Sequence, residues 1–493
     1  MEQITLFHAF ISLLLIIFVS KLFRTSMNLP PSPFPKLPII GHLHLIKSPL
    51  HRSLDTLSKA FGPVMSLQFG SSLVVVVSSP AAVEECFTKN DIVLANRPRM
   101  TMGKYMAYNW STMAGASYGD HWRNLRRIAS LEIFSTSRLN SFLSIRRDEV
   151  NHLLLALSQN AGQGFKKVVL KPNLNVLSFN IVMRMIAGKR YFGEVVDDQE
   201  KAKQVRRIIE EVLSVVSSYP GDFLPFLKWI DYKNYEKRAA VLSKEMDGIL
   251  QGVIEEHRNG ESRNSMVGHL LSLQKSQPDS YSDFIIKGLM VVLIFAGSDT
   301  SGVTIEWAMS LLLNHPHVLK KARDEIDIVI GQDRLVEESD LSKLPYLHNI
   351  ILESFRLFPA TPLLLPHKAS ADCKVSGYDI PAGTLVLVNS WSIHRDPKVW
   401  DDPTSFKPER FEGIEVETHK LMPFGMGRRS CPGSGLAHRV VGLVLASLIQ
   451  CFEWERVSDE LIDLAEGKGL TMPKAEPLEA MCKTRNVLDT INT

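Results

Sequence analysis

One cysteine of this chain, Cys431, lies in a segment that reads Phe-Gly-Met-Gly-Arg-Arg-Ser-Cys-Pro-Gly over residues 424–433. No second cysteine is near enough to form a CxxC pair with it. A thiolate is a strong metal ligand, but its charge must be stabilised if it is buried. Gly427 and Gly433 allow a tight turn that brings backbone N–H groups towards the sulfur. The segment therefore predicts a metal–thiolate site, in preference to a surface turn that holds a structural cysteine.

The spacing of this segment, F-x-x-G-x-R-x-C-x-G, resembles the haem-binding signature of the cytochromes P-450. The resemblance implies that the cofactor is haem b (iron protoporphyrin IX) and that Cys431 is its iron ligand, a thiolate that favours O–O cleavage. It also implies that Arg429 binds a haem propionate, for which a planar guanidinium is well suited. Phe424 is expected to pack beside the cysteine and to exclude water.

A second motif interrupts an apolar helix that is predicted over Phe284 to Leu313. It reads Ala-Gly-Ser-Asp-Thr-Ser over residues 296–301, and such polar residues and glycine destabilise a helix. Taken alone, the motif also fits a kinked helix with a buried acid paired to a lysine or arginine. It resembles the oxygen-activation motif of the same family. The resemblance implies that Ala296 and Gly297 let a locally widened helix run close over the haem, that Thr300 hydrogen-bonds the bound oxygen and its water, and that Asp299 feeds protons through a relay.

Further residues resemble haem-propionate contacts of the family. Trp122 and Arg126 form a W-x-x-x-R pair, and a spacing of four residues places them on one helix face. A basic surface helix is the alternative explanation of that pair. Arg97 in an Arg-Pro step and His367 in a Pro-His step are also expected to reach the propionates.

An acid and a base three residues apart, Glu353 and Arg356, match the family's E-x-x-R motif. Arg410 matches the arginine of its P-E-R-F motif. As an isolated pair on a helix, Glu353 and Arg356 would contribute only a few tenths of a kcal/mol. The resemblance implies that the three residues form a buried charge network with a structural role, which supports the cysteine segment.

The N-terminus contains an apolar run from Ile4 to Ser20, about as long as the shortest membrane spans. A cleaved signal peptide is the alternative, but the basic residues Lys21 and Arg24 follow the run and no basic residue precedes it. We therefore predict an anchor over residues 1–24, a proline-rich hinge over 25–41 and a cytochrome P-450 catalytic domain over 42–493. The positive-inside rule places the residues after Lys21, and with them the catalytic domain, on the cytosolic side. By resemblance to microsomal members of the family, we expect a single-pass protein of the endoplasmic reticulum membrane.

The remaining sequence predicts many helices and a minor sheet. Val64–Phe69 and Leu73–Val77 read as a β-hairpin, and short strands are expected within Lys374–Val388. Helices are predicted over Ser137–Leu157, Glu200–Ser217 and Asn234–Arg258. This mainly α pattern agrees with the cytochrome P-450 fold, preceded here by one transmembrane helix. A formal net charge of +3 gives no reason to expect nucleic-acid binding, and five scattered cysteines fit a reducing compartment.

Together, the motifs indicate a haem-thiolate monooxygenase that uses O2 and electrons from NADPH, delivered by NADPH–cytochrome P-450 reductase. Two alternatives are a haem-thiolate isomerase or dehydratase, which needs no external electrons, and a non-catalytic haem-binding protein. The chain most resembles plant microsomal enzymes, in the branch that contains isoflavone hydroxylases, methylenedioxy-bridge-forming lignan oxidases and triterpenoid hydroxylases. This implies a hydrophobic substrate such as a flavonoid, lignan, triterpenoid or alkaloid. By the same resemblance, five segments are expected to contact it: Met100–Ser117, Val212–Tyr232, Val291–Phe295, Thr361–Leu365 and Leu470–Met472.

Overall fold

The computed structural model describes residues 27–161, 164–193, 199–216, 219–260 and 264–491. The predicted anchor, residues 1–24, lies outside the described residues, and the hinge is described from Met27 onwards. The proline-rich segment that follows Met27 has little regular structure and is largely exposed, because proline lacks the backbone donor that helices and central strands require.

Helices make up most of the described chain, as the sequence predicts. Their bounds are α1 Leu50–Phe61, α2 Pro80–Phe87, α3 Thr101–Met106, α4 Asp120–Ile128, α5 Thr136–Ser141, α6 Leu143–Ala161, α7 Leu170–Ala187, α8 Gln199–Val216, α9 Phe226–Trp229, α10 Tyr235–Arg258, α11 Met266–Gln274, α12 Asp283–Gly297, α13 Thr300–Asn314, α14 Pro316–Val329, α15 Pro345–Leu357, α16 Ser390–Ile393 and α17 Ser434–Cys451.

Three small sheets accompany the helices. Their strands are β1 Val64–Phe69, β2 Ser72–Val77, β3 Lys166–Val169, β4 His367–Lys368, β5 Cys373–Val375, β6 Tyr378–Ile380, β7 Leu385–Val388, β8 Phe452–Glu455 and β9 Glu479–Thr484. The largest sheet has the order β1-β2-β7-β4. The predicted hairpin is confirmed, since β1 and β2 pair antiparallel with Val64 opposite Val77. β7 then pairs parallel to β2, which joins the N-terminal and C-terminal halves of the chain.

Two predicted helices are each divided in the structure. The segment predicted over 137–157 forms α5 and α6, separated at the fully buried Phe142. The Ser141 hydroxyl at the end of α5 donates a hydrogen bond to the Arg138 carbonyl, which replaces a regular helical bond. The second division falls between α12 and α13, inside the motif at 296–301. The predicted helices at Glu200–Ser217 and Asn234–Arg258 correspond closely to α8 and α10.

The core is built around α13 and α17, which pack against each other and against α15. Both are apolar on nearly all faces, and such helices lie in the interior of a protein. Within the described residues, Asp283–Asn314 and Ser434–Cys451 are the two segments long and apolar enough to cross a membrane, and at least half of each apolar stretch is buried inside the fold. The centre of the molecule therefore connects the motif at 296–301 with the helix that begins beside Cys431.

Candidate active site

Cys431 lies in a short loop that leads from the interior of the fold into helix α17. A turn of 3-10 helix covers Gly427–Arg429, and the Cys431 N–H donates to the Phe424 carbonyl at 2.8 Å. α17 begins three residues after the cysteine, so the first amides of that helix point back towards the sulfur. The loop thus places a thiol at a helix N-terminus.

The surroundings of the Cys431 thiol suit a ligand better than a free nucleophile. Burial raises its pKa, while the backbone N–H groups of Gly433 and Ser434 and the charge of Arg126 act in the opposite direction. Protein atoms therefore crowd the sulfur on several sides. The residue is nevertheless exposed, unlike the other four cysteines, which are buried or half-buried. An accessible face on an otherwise enclosed thiol, with amide donors behind it, is what a thiolate metal ligand requires.

The two glycines of the loop have different roles. Gly427 has a φ of +71°, and a Cβ there would lie 2.5 Å from the Asp91 carboxylate. That carboxylate accepts a hydrogen bond from the Arg428 N–H at 3.1 Å, so it cannot move away without cost. Gly433 has an ordinary φ of −89°. The turn therefore does not require a glycine at this position, whereas the expected N–H group of Gly433 beside the sulfur is present.

Phe424 supports the loop from the side of the core. Its ring centroid lies 5.1 Å from that of Phe355 on α15 and 5.2 Å from that of His438 on α17. Its carbonyl accepts the Cys431 amide bond, so the aromatic packing and the position of the cysteine backbone are coupled. This agrees with its expected place beside the cysteine.

Arg126 and Arg429 meet beside the loop, on the side of α4. The Arg126 guanidinium donates to the Ser430 carbonyl at 2.7 Å. The Arg429 guanidinium lies 4.4 Å from the centre of the Trp122 ring and donates to the carbonyls of Ala95, Met113 and Ala116. Trp122 itself is buried and donates from its indole nitrogen to the Met113 carbonyl at 3.1 Å. The basic helix α4 therefore turns Trp122 and Arg126 towards the cysteine loop, and not to the surface.

Arg97 completes a cluster of cations. It is buried and donates to the carbonyls of Leu365 and Pro366, both at 2.8 Å, while its buried Nε–H has no hydrogen-bond partner among the residues that the structure describes. Burial, followed by the charge of Arg429, lowers the pKa of Arg97 to about 9. Burial and the charge of Arg126 lower the pKa of Arg429 to about 10. Each arginine is thus held close to another cation.

None of these three arginines has a carboxylate partner within the part of the chain that the structure describes. Buried or half-buried guanidinium groups are unfavourable unless anions neutralise them. A cofactor that carries two carboxylates beside a thiolate-bound metal would supply those anions. The donor set of Arg97, Arg126, Arg429 and Cys431 therefore fits haem.

His367 lies beside this arginine cluster. Its ring is buried, and its Nδ1 donates to the Leu94 carbonyl at 2.7 Å, because a carbonyl can only accept. Burial and the charges of Arg97 and Arg429 hold the pKa of His367 well below its usual range. Its Nε2 is the ring atom left to face a propionate, and that contact stays a prediction.

The motif at 296–301 interrupts the helix instead of widening it. The Thr300 hydroxyl donates to the Ala296 carbonyl at 2.8 Å, and the Ser298 hydroxyl donates to the Ile294 carbonyl. These side chains compete with the backbone for helical acceptors, which explains the break between α12 and α13. Asp299 lies at this break, and its carboxylate accepts a hydrogen bond from the Thr471 hydroxyl at 2.7 Å. The alternative of an acid paired to a lysine or arginine is not what the structure shows.

Ala296 and Gly297 face different surroundings. Ala296 is exposed at the end of α12. A Cβ on Gly297 would lie 2.7 Å from the Val182 side chain of α7. The absence of a side chain at Gly297 therefore lets α12 and α7 approach each other, and its expected place over the cofactor stays a prediction.

The buried charge network implied by the two other motifs is present. Arg356 donates to both oxygens of Glu353 at 2.7 and 2.8 Å, and Arg410 donates to Glu353 Oε1 at 2.9 Å. The side chains of Glu353 and Arg356 are wholly inaccessible to solvent. Arg356 also donates to backbone carbonyls, including that of His394 at 2.6 Å. The His394 ring in turn accepts the Met422 N–H at 3.0 Å, two residues before the cysteine segment begins.

The structure thus brings Trp122, Arg126, Arg429 and Arg97 to the Cys431 loop, and it links Asp299 to a different partner, Thr471. The sequence did not predict the roles of Asp91 and Thr471 in these contacts. Both lie far along the chain from their partners, and neither belongs to a recognisable motif. No local signal would have identified them.

Comparison with known proteins gives a direct result on the family. The family model described as cytochrome P450 matches residues 30–478. The chain belongs to the cytochrome P450 family. It is therefore a haem-dependent enzyme of the monooxygenase type, and its mostly helical structure is the P450 fold.

Named relatives place the chain among plant P450 enzymes. It is 57% identical to the (+)-piperitol/(+)-sesamin synthase of Sesamum radiatum, over 94% of this chain and 92% of the relative. It is 56% identical to the isoflavone 3'-hydroxylase of Medicago truncatula, over 93% of each chain. Among solved structures, a zebrafish cytochrome P450 with progesterone is 26% identical, with a TM-score of 0.77, and the match covers 89% of this chain and 100% of that one. The predicted resemblance to a branch with isoflavone hydroxylases and lignan bridge-forming enzymes is confirmed.

Proposed function

We propose that this P450 hydroxylates, or closes a methylenedioxy bridge on, a phenolic plant metabolite of the flavonoid or lignan class. Its electrons come from NADPH through NADPH–cytochrome P450 reductase. The observation that carries the proposal is the accessible Cys431 thiol, with amide donors behind it and three arginines around it that have no carboxylate partner among the described residues. When bound there, haem supplies the oxidising chemistry, and the protein supplies binding, orientation and protons.

Each residue of the site has a task in this proposal. Cys431 ligates the iron as a thiolate, stabilised by the amides of Gly433 and Ser434 and by the nearby Arg126. Arg97, Arg126 and Arg429 bind the propionates, and the indole of Trp122 holds the Arg429 guanidinium in place. The arginines thus orient the cofactor relative to the helix that carries the motif at 296–301.

Asp299 and Thr300 are the proposed proton-handling pair. Asp299 accepts and releases a proton at its carboxylate, which lies at the break between α12 and α13. Thr300 offers its hydroxyl, which donates to the Ala296 carbonyl and retains its acceptor lone pairs for a water. Ala296 is exposed at the end of α12 and would lie against the cofactor when the cofactor is bound.

The proposed substrate class rests on the activities for which the relatives are named and on the segments that border the site. The Leu365 carbonyl accepts from Arg97, and the Met113 carbonyl accepts from Arg429, so two of the predicted substrate segments adjoin the arginine cluster. Leu365 itself is 38% exposed and presents an apolar side chain. A planar or polycyclic phenolic compound would bury such apolar surface.

The test uses the full-length chain in microsomes together with a plant reductase. In the parent protein, we expect the characteristic Soret band of the reduced carbon monoxide complex. Cys431→Ala abolishes it, whereas Cys373→Ala, at a half-buried cysteine outside the site, retains it. A band that survives Cys431→Ala would contradict the ligand assignment.

Turnover separates the proposed reaction from the alternatives. We expect NADPH-dependent oxidation of an isoflavone, or of the lignan precursors of piperitol and sesamin, only when the reductase is present. Product formation without NADPH would favour the isomerase or dehydratase. A normal carbon monoxide band with no spin-state shift for any flavonoid or lignan would contradict the substrate class.

The proposed location is the endoplasmic reticulum membrane, with residues 1–24 as a single-pass anchor, residues 25–41 as a hinge and residues 42–493 as the cytosolic catalytic domain. It is supported by the apolar run at Ile4–Ser20 and the basic residues that follow it. Removal of residues 1–24 is expected to shift the protein from the carbonate-resistant membrane fraction towards the soluble one. Full retention in that fraction would argue against this anchor.

A further inference from the structure

The C-terminal segment 471–478 is attached to α13 by three hydrogen bonds. The Thr471 hydroxyl donates to Asp299 Oδ2 at 2.7 Å, at the start of the helix. Two turns later, the Trp307 indole N–H donates to the Met472 carbonyl at 2.7 Å. The Leu478 N–H donates to Glu306 Oε1 at 2.9 Å. Segment and helix therefore move as one body unless these bonds break.

Two of the three bonds are deeply buried. Trp307 is wholly buried, and Glu306, Met472 and Leu478 are each 1% exposed. Buried hydrogen bonds are costly to leave unmade, because the separated groups cannot find water. The Lys474 ammonium group also lies 4.9 Å from the centre of the Trp307 ring. The segment is thus firmly held on the C-terminal side of Thr471.

Leu470 differs from its neighbours. It is 57% exposed, although Met472, two residues later, is buried. An apolar side chain that protrudes next to an anchored residue can be contacted by a ligand without the anchor being displaced. Such a contact would press on Thr471, the next residue in the chain.

Asp299 has few other restraints. It lies outside α12 and α13, with φ of −112° and ψ of −42°. Within the described ranges, the Thr471 hydroxyl is the hydrogen-bond donor to its carboxylate, and no lysine, arginine or histidine pairs with it. The orientation of the carboxylate therefore depends on one hydroxyl from a different part of the chain.

From this geometry we propose that Thr471 is a positioning residue for Asp299, and that it couples the orientation of the acid to the segment that begins at Leu470. The inference rests on the proposed role of Asp299 in proton handling. A carboxylate transfers protons efficiently only when its oxygens point at the proton's path. Thr471 fixes one oxygen, Oδ2, and leaves the other, Oδ1, without a hydrogen-bond donor among the described residues.

The variants isolate the Thr471 hydroxyl. Thr471→Val removes it at nearly constant volume, and Thr471→Ser restores it. Thr384→Val is the matched control, because the Thr384 hydroxyl is buried and has no partner among the described residues. All are compared with Asp299→Asn and with the Asp299→Asn/Thr471→Val double variant in the haem-loaded, full-length enzyme.

The first measurement is the yield of product per NADPH consumed. We expect Thr471→Val to lower this yield and kcat by about tenfold, the scale set by a misdirected catalytic group, with KM little changed. Thr471→Ser and Thr384→Val retain parental values. The double variant is no worse than Asp299→Asn, since two residues that act through one carboxylate are not additive.

The second measurement does not depend on turnover. Amide hydrogen exchange over residues 467–478 is expected to quicken in Thr471→Val and to remain unchanged in Thr471→Ser and Thr384→Val. Parental exchange in the rest of the chain shows that the variant is folded.

The outcomes separate this inference from the proposed function. If Asp299→Asn leaves the product yield unchanged, the proposed proton role fails and the inference falls with it. If Asp299→Asn lowers the yield and Thr471→Val does not, the inference alone is overturned. Unchanged amide exchange in Thr471→Val would likewise overturn it, because the hydrogen bond would then restrain nothing.

Discussion

Replacing Glu353 by glutamine tests whether the buried charge network supports the cysteine loop. Glu353 accepts four hydrogen bonds: two from Arg356, one from Arg410 and one from the Lys407 N–H. Glutamine keeps the shape and one acceptor oxygen. It removes the charge and places an NH2 group where Glu353 Oε2 now accepts the Arg356 Nε–H at 2.7 Å. At that contact, the glutamine NH2 group and the Arg356 Nε–H would then be two hydrogen-bond donors that face each other.

The expected cost follows from these contacts. One charge-assisted bond is lost outright, and such bonds contribute about 1.5–3 kcal/mol. In addition, Arg356 is fully buried and Arg410 nearly so, and both lose their counter-charge. Breaking a buried ion pair by removing one partner costs about 3–5 kcal/mol. We therefore expect Glu353→Gln to lower the free energy of unfolding by about 3–5 kcal/mol.

The chain contains a matched control for this change. Glu255 and Arg258 are also a glutamate and an arginine three residues apart on a helix, but their side chains are 50% and 37% exposed. Glu255→Gln is expected to cost less than about 0.5 kcal/mol. Urea unfolding followed by tryptophan fluorescence measures both, and Trp400, whose ring lies 5.3 Å from the Arg356 guanidinium, reports on the network itself. If Glu353→Gln costs no more than Glu255→Gln, the network does not carry the support assigned to it.

Two further changes probe the loop and the acid stability of the fold. Gly427→Ala places a side chain at a positive φ and against the Asp91 carboxylate, so we expect it to lower both haem content and the free energy of unfolding. The control is Gly413→Ala, which has a φ of +67° but open space around it and should cost only about 1–2 kcal/mol. Equal losses for the two variants in urea unfolding would show that the Asp91 carboxylate moves aside without cost. Burial opposes the ionisation of Glu466, but hydrogen bonds from His51 and Arg52 outweigh it and hold the pKa of Glu466 at about 2. Because the folded-state pKa lies below the ordinary value of 4.5, this stabilisation is complete above pH 4.5 and is lost as the pH falls towards 2. The test is the free energy of unfolding of the parent and of Glu466→Gln, measured between pH 7 and pH 3. The difference between the two should shrink below pH 4.5. A constant difference over this range would contradict the assigned pKa.

The parts of the site that are local in sequence could be predicted from it. The turn before Cys431, the pairing of Glu353 with Arg356 and the common face of Trp122 and Arg126 depend on spacing within one element. The hairpin of β1 and β2 is equally local. In each case the chemistry of a few neighbouring residues determines their geometry.

The parts that the sequence could not show depend on what another element presents. At Gly297, the side chain of Val182 on α7 leaves no room for a Cβ. At His367, the Leu94 carbonyl accepts the hydrogen bond from Nδ1. Glu149 belongs to no motif, yet it is buried and pairs with Arg184. Periodicity cannot show which group from a distant segment fills the space beside a side chain.

The arginine cluster shows what such tertiary information adds to a motif. Sequence resemblance alone assigns Arg97, Arg126 and Arg429 to the propionates, and basic surface residues would satisfy the same patterns. The structure encloses all three together, lowers the pKa of each by burial, and provides carbonyls but no carboxylate among the described residues. Gathering three guanidinium groups in this way is electrostatically unfavourable, and bound anions would offset that cost. The electrostatics of the chain therefore support an acidic cofactor, and this support does not depend on the motif that first suggested it.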